Sequence, residues 1–361
     1  MKPEKVRTPK PTQPHKGVDK KKAMSLAASW YVAMPSKALG KKLKAVELFG
    51  QPLVAWRDQQ GKPVIMERYC SHLGASLAIG ELVDGCIQCP FHHWRYDRSG
   101  NCVFVPEVNH IPPKARQVTY VTTERYGYVW VWYGSQNPLF PLPEFPSAED
   151  NNYIPYRFEF EVETTVRRVA ENTYDHLHVV TVHQLKVSGS AQLTLLNNQN
   201  SEEYSESSVQ KESSFKALIK FPLKNYVGPL GRVVQAFGLD AKVLTLQVDG
   251  SPSGHKVTGF IDGEERFQTM GGITPIAENK TVKHSLVMVK KTGTFWLDIL
   301  YYILFGWQSK NSFTQDIPIW NTMDPSVGDA YVKEDLGVLN FRRFYQNWIN
   351  KAEIEGENLT E

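Results

Sequence analysis

The sequence predicts an α+β chain in two unequal parts: an all-β N-terminal domain, a Pro-rich connection, and a larger C-terminal domain of antiparallel sheet with helices. Three observations predict it. Short alternating runs fill the first third, prolines cluster at 137–152, and the apolar period changes from two residues to a helical spacing at Arg167. With 361 residues, 41% of them hydrophobic and 22% charged, the chain is long enough to bury two cores without disulfide staples.

Residues 1–24 come first. Eight Lys/Arg fall within residues 1–22 against Glu4 and Asp19, a net +6 in a chain whose total is +3, so the remainder is about −3. Four prolines and almost no apolar residues accompany them, which predicts a disordered basic tail. No apolar h-region follows the charges, so a targeting signal is not expected. The runs VELFG, QPLVAWRD, KPVIME and YGYVWVWYG, bounded by Gly, Asp and Gln, read as antiparallel strands of a small β domain over 25–136. NPLFPLPEFPSAEDNN (137–152) reads as a linker, because proline fixes φ and cannot join a sheet ladder.

The second domain, 153–361, opens on the alternating run YRFEFEVETTV and then changes period to give RRVAENTYDHLHVVTVH. Asn172, Asp175 and His178, spaced i, i+3 and i+6, are expected on one helical face. Strands are expected at 214–221, 242–248, 255–260 and 282–290, and a late helix over 295–323. TFWLDILYYILFGW (294–307) is fourteen residues long, short of the roughly 18 that a membrane span needs. It reads as a buried helix, with an interfacial segment or the wall of an apolar pocket as alternatives. GPLGR (228–232) lacks the strand–turn–helix context of a nucleotide-binding loop. The small net charge does not indicate a nucleic-acid partner.

Three of the four cysteines, Cys70, Cys86 and Cys89, fall within twenty residues. That is too few for a disulfide scaffold, and the clustering points to a metal site in a reducing, cytoplasmic compartment. Cys70-x-His72 and Cys89-x-x-His92 can each present one thiolate and one imidazole from a loop. With Cys70 and Cys89 on one iron and His72 and His92 on the other, this is the ligand division of a Rieske [2Fe–2S] centre. The rival is a structural zinc site; the spacing argues against it, since zinc patterns usually join Cys with Cys and His with His. Cys86 and Cys102 lie outside the pattern and read as packed thiols. Farther along, His178 and His183 leave one ligand place for a carboxylate. Two His and one carboxylate make a facial triad with open positions, the pattern of non-haem Fe(II) oxygenases. A surface helix that happens to carry several histidines is the bland alternative.

The motifs C-x-H-L-G (Cys70, His72, Leu73, Gly74) and C-P-F-H-x-W (Cys89, Pro90, Phe91, His92, Trp94) resemble the Rieske family. Tyr96, Asp97, Gly100, Cys102 and Pro106 look like its oxygenase branch, and Ala75 and Phe91 stand where respiratory members carry an extra cysteine. One departure is His93, where many relatives have Gly. It puts the local backbone in question, because Gly tolerates φ > 0 far better; a bystander role is expected rather than ligand exchange with His92. The stretch E-N-x-x-D-x-x-H-x4-H, from Glu171 to His183, is similar to the mononuclear-iron signature of the Rieske non-haem iron oxygenases. The likeness covers most of 28–348, loosely outside the two motifs.

This resemblance implies an all-β Rieske domain followed by a helix-grip catalytic domain holding mononuclear Fe(II). Family spacing selects His178 over His176 as a ligand. The third ligand in the family is an Asp on a late helix, which selects Asp316 in FTQDIPIWNTM, with Asp298 and Asp324 as fallbacks. Asn172 is implied to lie near the iron. Asp175 resembles the acid that links a Rieske His of one subunit to an iron-ligand His of its neighbour in a head-to-tail homotrimer. Electrons are implied to come from a separate NAD(P)H-dependent reductase, sometimes through a ferredoxin, for O2-dependent hydroxylation or desaturation. DLGVLNFRRFYQNW, with QDIPIW and ENTYDHLHVVTVH, resembles the ketosteroid hydroxylases and Neverland-type cholesterol desaturases, which favours an apolar steroid-like, terpenoid-like or aromatic substrate. Chlorophyll-breakdown and alkaloid-type oxygenases share the architecture. An electron carrier without the second iron and a scaffold with degenerate sites are the readings from other classes.

Overall fold

The computed structural model describes residues 24–135, 137–196, 212–224, 241–324 and 327–357. The expected basic tail, up to residue 23, and the GPLGR segment lie outside the described residues.

Three small antiparallel sheets build the N-terminal part. The first joins β1 (Ser29–Pro35), β10 (Thr122–Arg125) and β11 (Tyr128–Tyr133), with β11 central. The second runs β2 (Lys44–Leu48), β3 (Gln51–Arg57), β4 (Pro63–Glu67) and β9 (Thr119–Tyr120). The third runs β5 (Glu81–Val83), β6 (Cys86–Gln88), β7 (Arg95–Tyr96) and β8 (Cys102–Phe104). Side chains alternate faces along β3, and both faces are buried. Leu53 and Ala55 enter the main core, while Val54 and Trp56 enter a second core beneath Cys70 and Cys89. A sheet covered on both faces needs an unbroken apolar run, which is what LVAW supplies.

The C-terminal part is one seven-stranded antiparallel sheet. Its strands are β12 (Tyr153–Val162), β13 (Gln192–Leu195), β14 (Phe215–Pro222), β15 (Val243–Ser251), β16 (Gly254–Ile261), β17 (Glu264–Ala277) and β18 (Lys280–Lys290). They are ordered β12-β18-β17-β16-β15-β14-β13. The four strands expected from the sequence are β14, β15, β16 and β18. The longest strand, β17, was not expected: Gly271, Gly272 and Pro275 punctuate it, and such residues demote a run read locally. Pairing on both sides, to β16 and β18, overrides that local preference.

The two parts share one core. Thr274 Oγ1 donates to the Val32 carbonyl at 2.7 Å, and the Ser29 and Ser253 hydroxyls meet at 2.9 Å, tying β1 to the outer face of the large sheet. Phe140 and Phe145 of the proline-rich stretch are buried in the same core.

The late helix runs from Phe295–Tyr301 through a π-helical turn, Tyr302–Trp307, into Gln308–Trp320. The expectation of a buried helix holds for one face only. Tyr301 is buried and Phe305 packs beside it against the sheet, whereas Phe295, Trp296 and Trp307 are 67%, 75% and 56% exposed. A single helix laid over a sheet reaches it with one stripe, and this segment is apolar all round. Among the described residues no helix is long and apolar enough to cross a membrane. A final helix, Leu336–Glu357, returns across the molecule, where the Ala28 N–H donates to the Trp348 carbonyl at 2.9 Å.

Candidate metal centres

The first centre is made by two turns of matching backbone design. In one, the Gly74 N–H donates to the Cys70 carbonyl and the Cys70 N–H to the Ala75 carbonyl, both at 2.9 Å. In the other, the His93 N–H donates to the Cys89 carbonyl at 3.2 Å and the Cys89 N–H to the Trp94 carbonyl at 2.8 Å. The fifth residue of each turn is left-handed, Gly74 at φ +73° and His93 at φ +57°. His93 therefore adopts the conformation that glycine would take, and the turn is kept.

Both cysteines are buried, and burial pushes the Cys89 thiol up from its ordinary value, reinforced by the neighbouring Cys70 sulfur. His72 and His92 stand exposed at the tips, their ring centroids 4.8 Å apart, with His72 stacked flat on Trp94 at 4.3 Å. The Tyr96 hydroxyl lies 3.1 Å from Cys70 Sγ and 2.9 Å from Ser71 Oγ. Among the described residues, the one group of three or more His, Cys, Asp or Glu donors within 4.8 Å of one another is elsewhere. The two thiols and two imidazoles thus do not converge on one point, as a single tetrahedral zinc requires. They divide into a buried sulfur pair and an exposed nitrogen pair, which suits a two-iron cluster. Cys86 and Cys102 are free thiols pushed up by burial.

The converging group is His178, His183 and Asp316. The expected single helix bearing Asn172, Asp175 and His178 is not what forms. A short helix α1 (Val166–Glu171) passes into a 3-10 turn, Asn172–Tyr174, and the chain breaks at Asp175 before α2 (His176–Thr181). Asp175 is extended, at φ −88° and ψ 94°, and its carboxylate caps α2 by accepting from the Leu177 and His178 N–H groups. An N-capping aspartate favours this break over a continuous helix.

The histidine protons are directed away from the centre. His178 Nδ1 donates to the Asp175 carbonyl oxygen, and His183 Nδ1 lies 3.0 Å from Gln315 Oε1. Each Nε2 is thereby left as a lone-pair donor, the usual arrangement of a metal-binding imidazole. His183 Nε2 is 3.7 Å from Asp316 Oδ1. The Asn172 amide nitrogen lies 3.2 Å from His178 Nε2 and 3.4 Å from Asp316 Oδ2. Burial pushes the Asp316 carboxyl up against the opposing pull of His183, His178 and Lys283. Burial pushes His178 down, opposed by Asp316 and Asp175. A buried carboxylate converging with two imidazole nitrogens is a donor set that a divalent metal satisfies.

The competing residues fall elsewhere. His176 is buried away from this group, Asp298 accepts from Thr292 N and Oγ1, and Asp324 is exposed. Sequence reasoning missed Gln315, although it is the neighbour of the selected Asp316. It also missed the role of Glu171: this buried carboxylate accepts from Arg342 Nε at 2.7 Å, Arg342 Nη2 at 2.9 Å and Arg168 Nη1 at 3.0 Å. The network ties α1, and so Asn172 beside it, to the C-terminal helix.

Residues 29–120 match the profile of the Rieske [2Fe-2S] domain. Over 339 residues the chain is 44% identical to aminopyrrolnitrin oxygenase PrnD of Pseudomonas fluorescens, covering 91% of this chain and 93% of that protein. The chain belongs to the Rieske oxygenases. As a Rieske oxygenase it is an oxidoreductase with a Rieske [2Fe–2S] cluster and a mononuclear non-haem iron, working with a reductase, O2 and a small-molecule substrate. The likeness to steroid-acting members also holds at a lower level. The oxygenase component of 3-ketosteroid-9-alpha-monooxygenase from Rhodococcus rhodochrous is 25% identical over 340 residues, 88% of this chain and 80% of that protein. The fold matches dicamba monooxygenase bound to dicamba, with a TM-score of 0.70 at 18% identity, over 91% of this chain and 98% of that one.

Proposed function

We propose that this chain is a terminal oxygenase acting on a compact, largely apolar, amino-bearing molecule of the aminopyrrolnitrin kind. The substrate class rests on the 44% identity to aminopyrrolnitrin oxygenase over nearly the whole of both chains. Steroid-like and terpenoid-like molecules are the second reading, favoured by the ketosteroid relative. The observation that carries the catalytic assignment is the convergence of His178, His183 and Asp316 with both Nδ1 protons engaged elsewhere.

In this reading the Rieske domain spans 25–136 and the catalytic domain 153–361. Cys70 and Cys89 hold one iron of the cluster and His72 and His92 the other, while His178, His183 and Asp316 hold the mononuclear iron. When bound, that iron supplies a place to activate O2, and the cluster supplies electrons. The chain's own residues do the rest. Asp175 O fixes the His178 tautomer, Gln315 fixes that of His183, and the Asn172 amide steadies the Asp316 carboxylate. The Asp175 carboxylate is partly exposed, with Oδ2 4.0 Å from His178 Nδ1. A partly exposed acid beside one centre and exposed imidazoles at the other fit a head-to-tail homotrimer, in which Asp175 accepts from His72 or His92 of a neighbouring subunit. A ferredoxin between reductase and oxygenase, and a cytoplasmic location, belong to the same proposal.

Metal analysis tests the ligand assignment. Three irons per chain are expected, falling to two in His178→Ala or Asp316→Ala; two in the unaltered protein contradict it. Asp175→Asn should keep all three and abolish turnover with a surrogate reductase, and retained turnover refutes the bridge. An amine, arene, steroid and terpenoid panel, read by mass for added oxygen or lost hydrogen, tests the substrate class.

A further inference from the structure

The face of the large sheet that lies under the Asp316 helix is mostly apolar, yet a polar row crosses it. Pairing places His255 of β16 opposite Gly271 of β17, and Gly271 opposite Ser285 of β18. Lys283, two residues before Ser285, shares the same face. All three side chains are buried, His255 at 7%, Lys283 at 1% and Ser285 at 0% exposure. Phe158, Phe160 and Val287 lie on this face around them.

Gly271 makes the row possible. A Cβ there would stand 2.5 Å from His255 Nε2, so the imidazole lies across β17 in the space that any other residue would fill. The other ring nitrogen, Nδ1, is 3.1 Å from Thr173 Oγ1, next in sequence to Asn172. Lys283 Nζ lies 3.5 Å from the ring centroid of Phe313 and 5.6 Å from that of Trp320, both on the helix that carries Asp316. The row is therefore fixed at both ends to the elements that build the iron site. Ser285 Oγ is buried without a hydrogen-bond partner. Buried hydroxyls are rarely left so, and one on the sheet face that packs under the Asp316 helix calls for a bound group to pair with it.

We propose that His255, Ser285 and Lys283 form a subsite that holds one hydrogen-bond-accepting oxygen or nitrogen of an otherwise apolar ring system, turning its reacting end toward His178, His183 and Asp316. The proposal rests on the terminal-oxygenase reading above and adds a polar requirement to it. A lysine amine offers donors, and a serine hydroxyl has a proton to give, so an acceptor satisfies both. The apolar neighbours supply affinity and the row supplies orientation. Burial pushes Lys283 down to about 7 and His255 well below its ordinary value, so both ammonium and amine forms of the lysine are present near neutral pH, each with N–H donors, beside a neutral imidazole. That suits an uncharged acceptor such as a ring carbonyl.

Binding of a matched pair to the iron-loaded protein tests this: 1-tetralone, which carries a ring carbonyl, and tetralin, which does not, each titrated by calorimetry. The ketone should bind about tenfold more tightly, the worth of one net hydrogen bond in a dry site. Ser285→Ala and Lys283→Met should each reduce that preference to less than about threefold while leaving the tetralin Kd unchanged. Equal affinity for the two ligands in the unaltered protein overturns the subsite, as does a preference that survives both substitutions or a failure to bind either ligand. Failure of the terminal-oxygenase reading shows separately, as two irons per chain rather than three.

Discussion

The buried Lys283 makes a prediction that can be worked through in the metal-free protein. Its ammonium is completely buried, and burial pushes it from an ordinary 10.5 down to about 7, against the opposing attraction of the Asp316 carboxylate. Between those two values the unfolded chain holds the proton more firmly than the folded protein does. Folded-state stability from this group therefore rises with pH, by about 1.4 kcal/mol per pH unit, from about 7 toward 10.5. From pH 7.5 to 9.5 that amounts to about 3 kcal/mol. The thiols of Cys86, Cys89 and Cys102 work the other way, because desolvation raises them and the unfolded chain loses their protons first. Those groups are common to a Lys283→Met variant, so the difference between the two proteins isolates the lysine. Urea unfolding at pH 7.5, 8.5 and 9.5, followed by tryptophan fluorescence, should show the variant losing about 3 kcal/mol relative to the parent across the range. A difference that stays constant within about 0.5 kcal/mol would mean that the ammonium keeps its proton in the fold, and the linkage argument would fail.

Three further outcomes follow from particular contacts. His93→Gly relieves a left-handed β-carbon at φ +57° and should stabilise the protein by up to about 1 kcal/mol, seen as a higher Tm with an unchanged cluster spectrum. Glu171→Gln leaves the Arg168 and Arg342 guanidiniums without their carboxylate. It should cost about 3 kcal/mol in urea unfolding and lower mononuclear iron occupancy through Asn172; full occupancy would show that the network only stabilises. Tyr96→Phe removes the hydroxyl that reaches Cys70 Sγ, so the cluster's reduction potential should fall in voltammetry with its two irons retained.

The candidate donors were legible because each proposed centre draws them from short, fixed spacings. Cys70 with His72, Cys89 with His92, and His178 with His183 are all local pairs, and local turns bring each pair to one place. Asp316 lies 133 residues beyond His183, and no spacing rule reaches that far; it was legible only through resemblance. The helical reading of Asn172, Asp175 and His178 erred for a local reason. An i, i+3, i+6 spacing is equally compatible with an aspartate that stops one helix and caps the next, and periodicity alone does not weigh the cap. The late helix was legible in extent but not in burial, since an all-round apolar segment carries no mark of which face the sheet will cover.

The polar row was illegible for a reason tied to its chemistry. His255, Gly271 and Ser285 meet only through the register of β16, β17 and β18, and β17 itself went unread because paired glycines and a proline interrupt it. Yet Gly271 is where the side chain must be missing for the His255 ring to lie across the sheet. The residue that hides the strand from local reasoning is the one that opens room for the imidazole. A glycine inside a strand marks a close approach as often as a weakness, and in a sheet that faces a catalytic helix the close approach is the more informative reading. On this argument Gly271→Ala should displace the imidazole and reduce ketone-over-hydrocarbon discrimination much as Ser285→Ala does, although alanine adds only a methyl group and removes no polar atom.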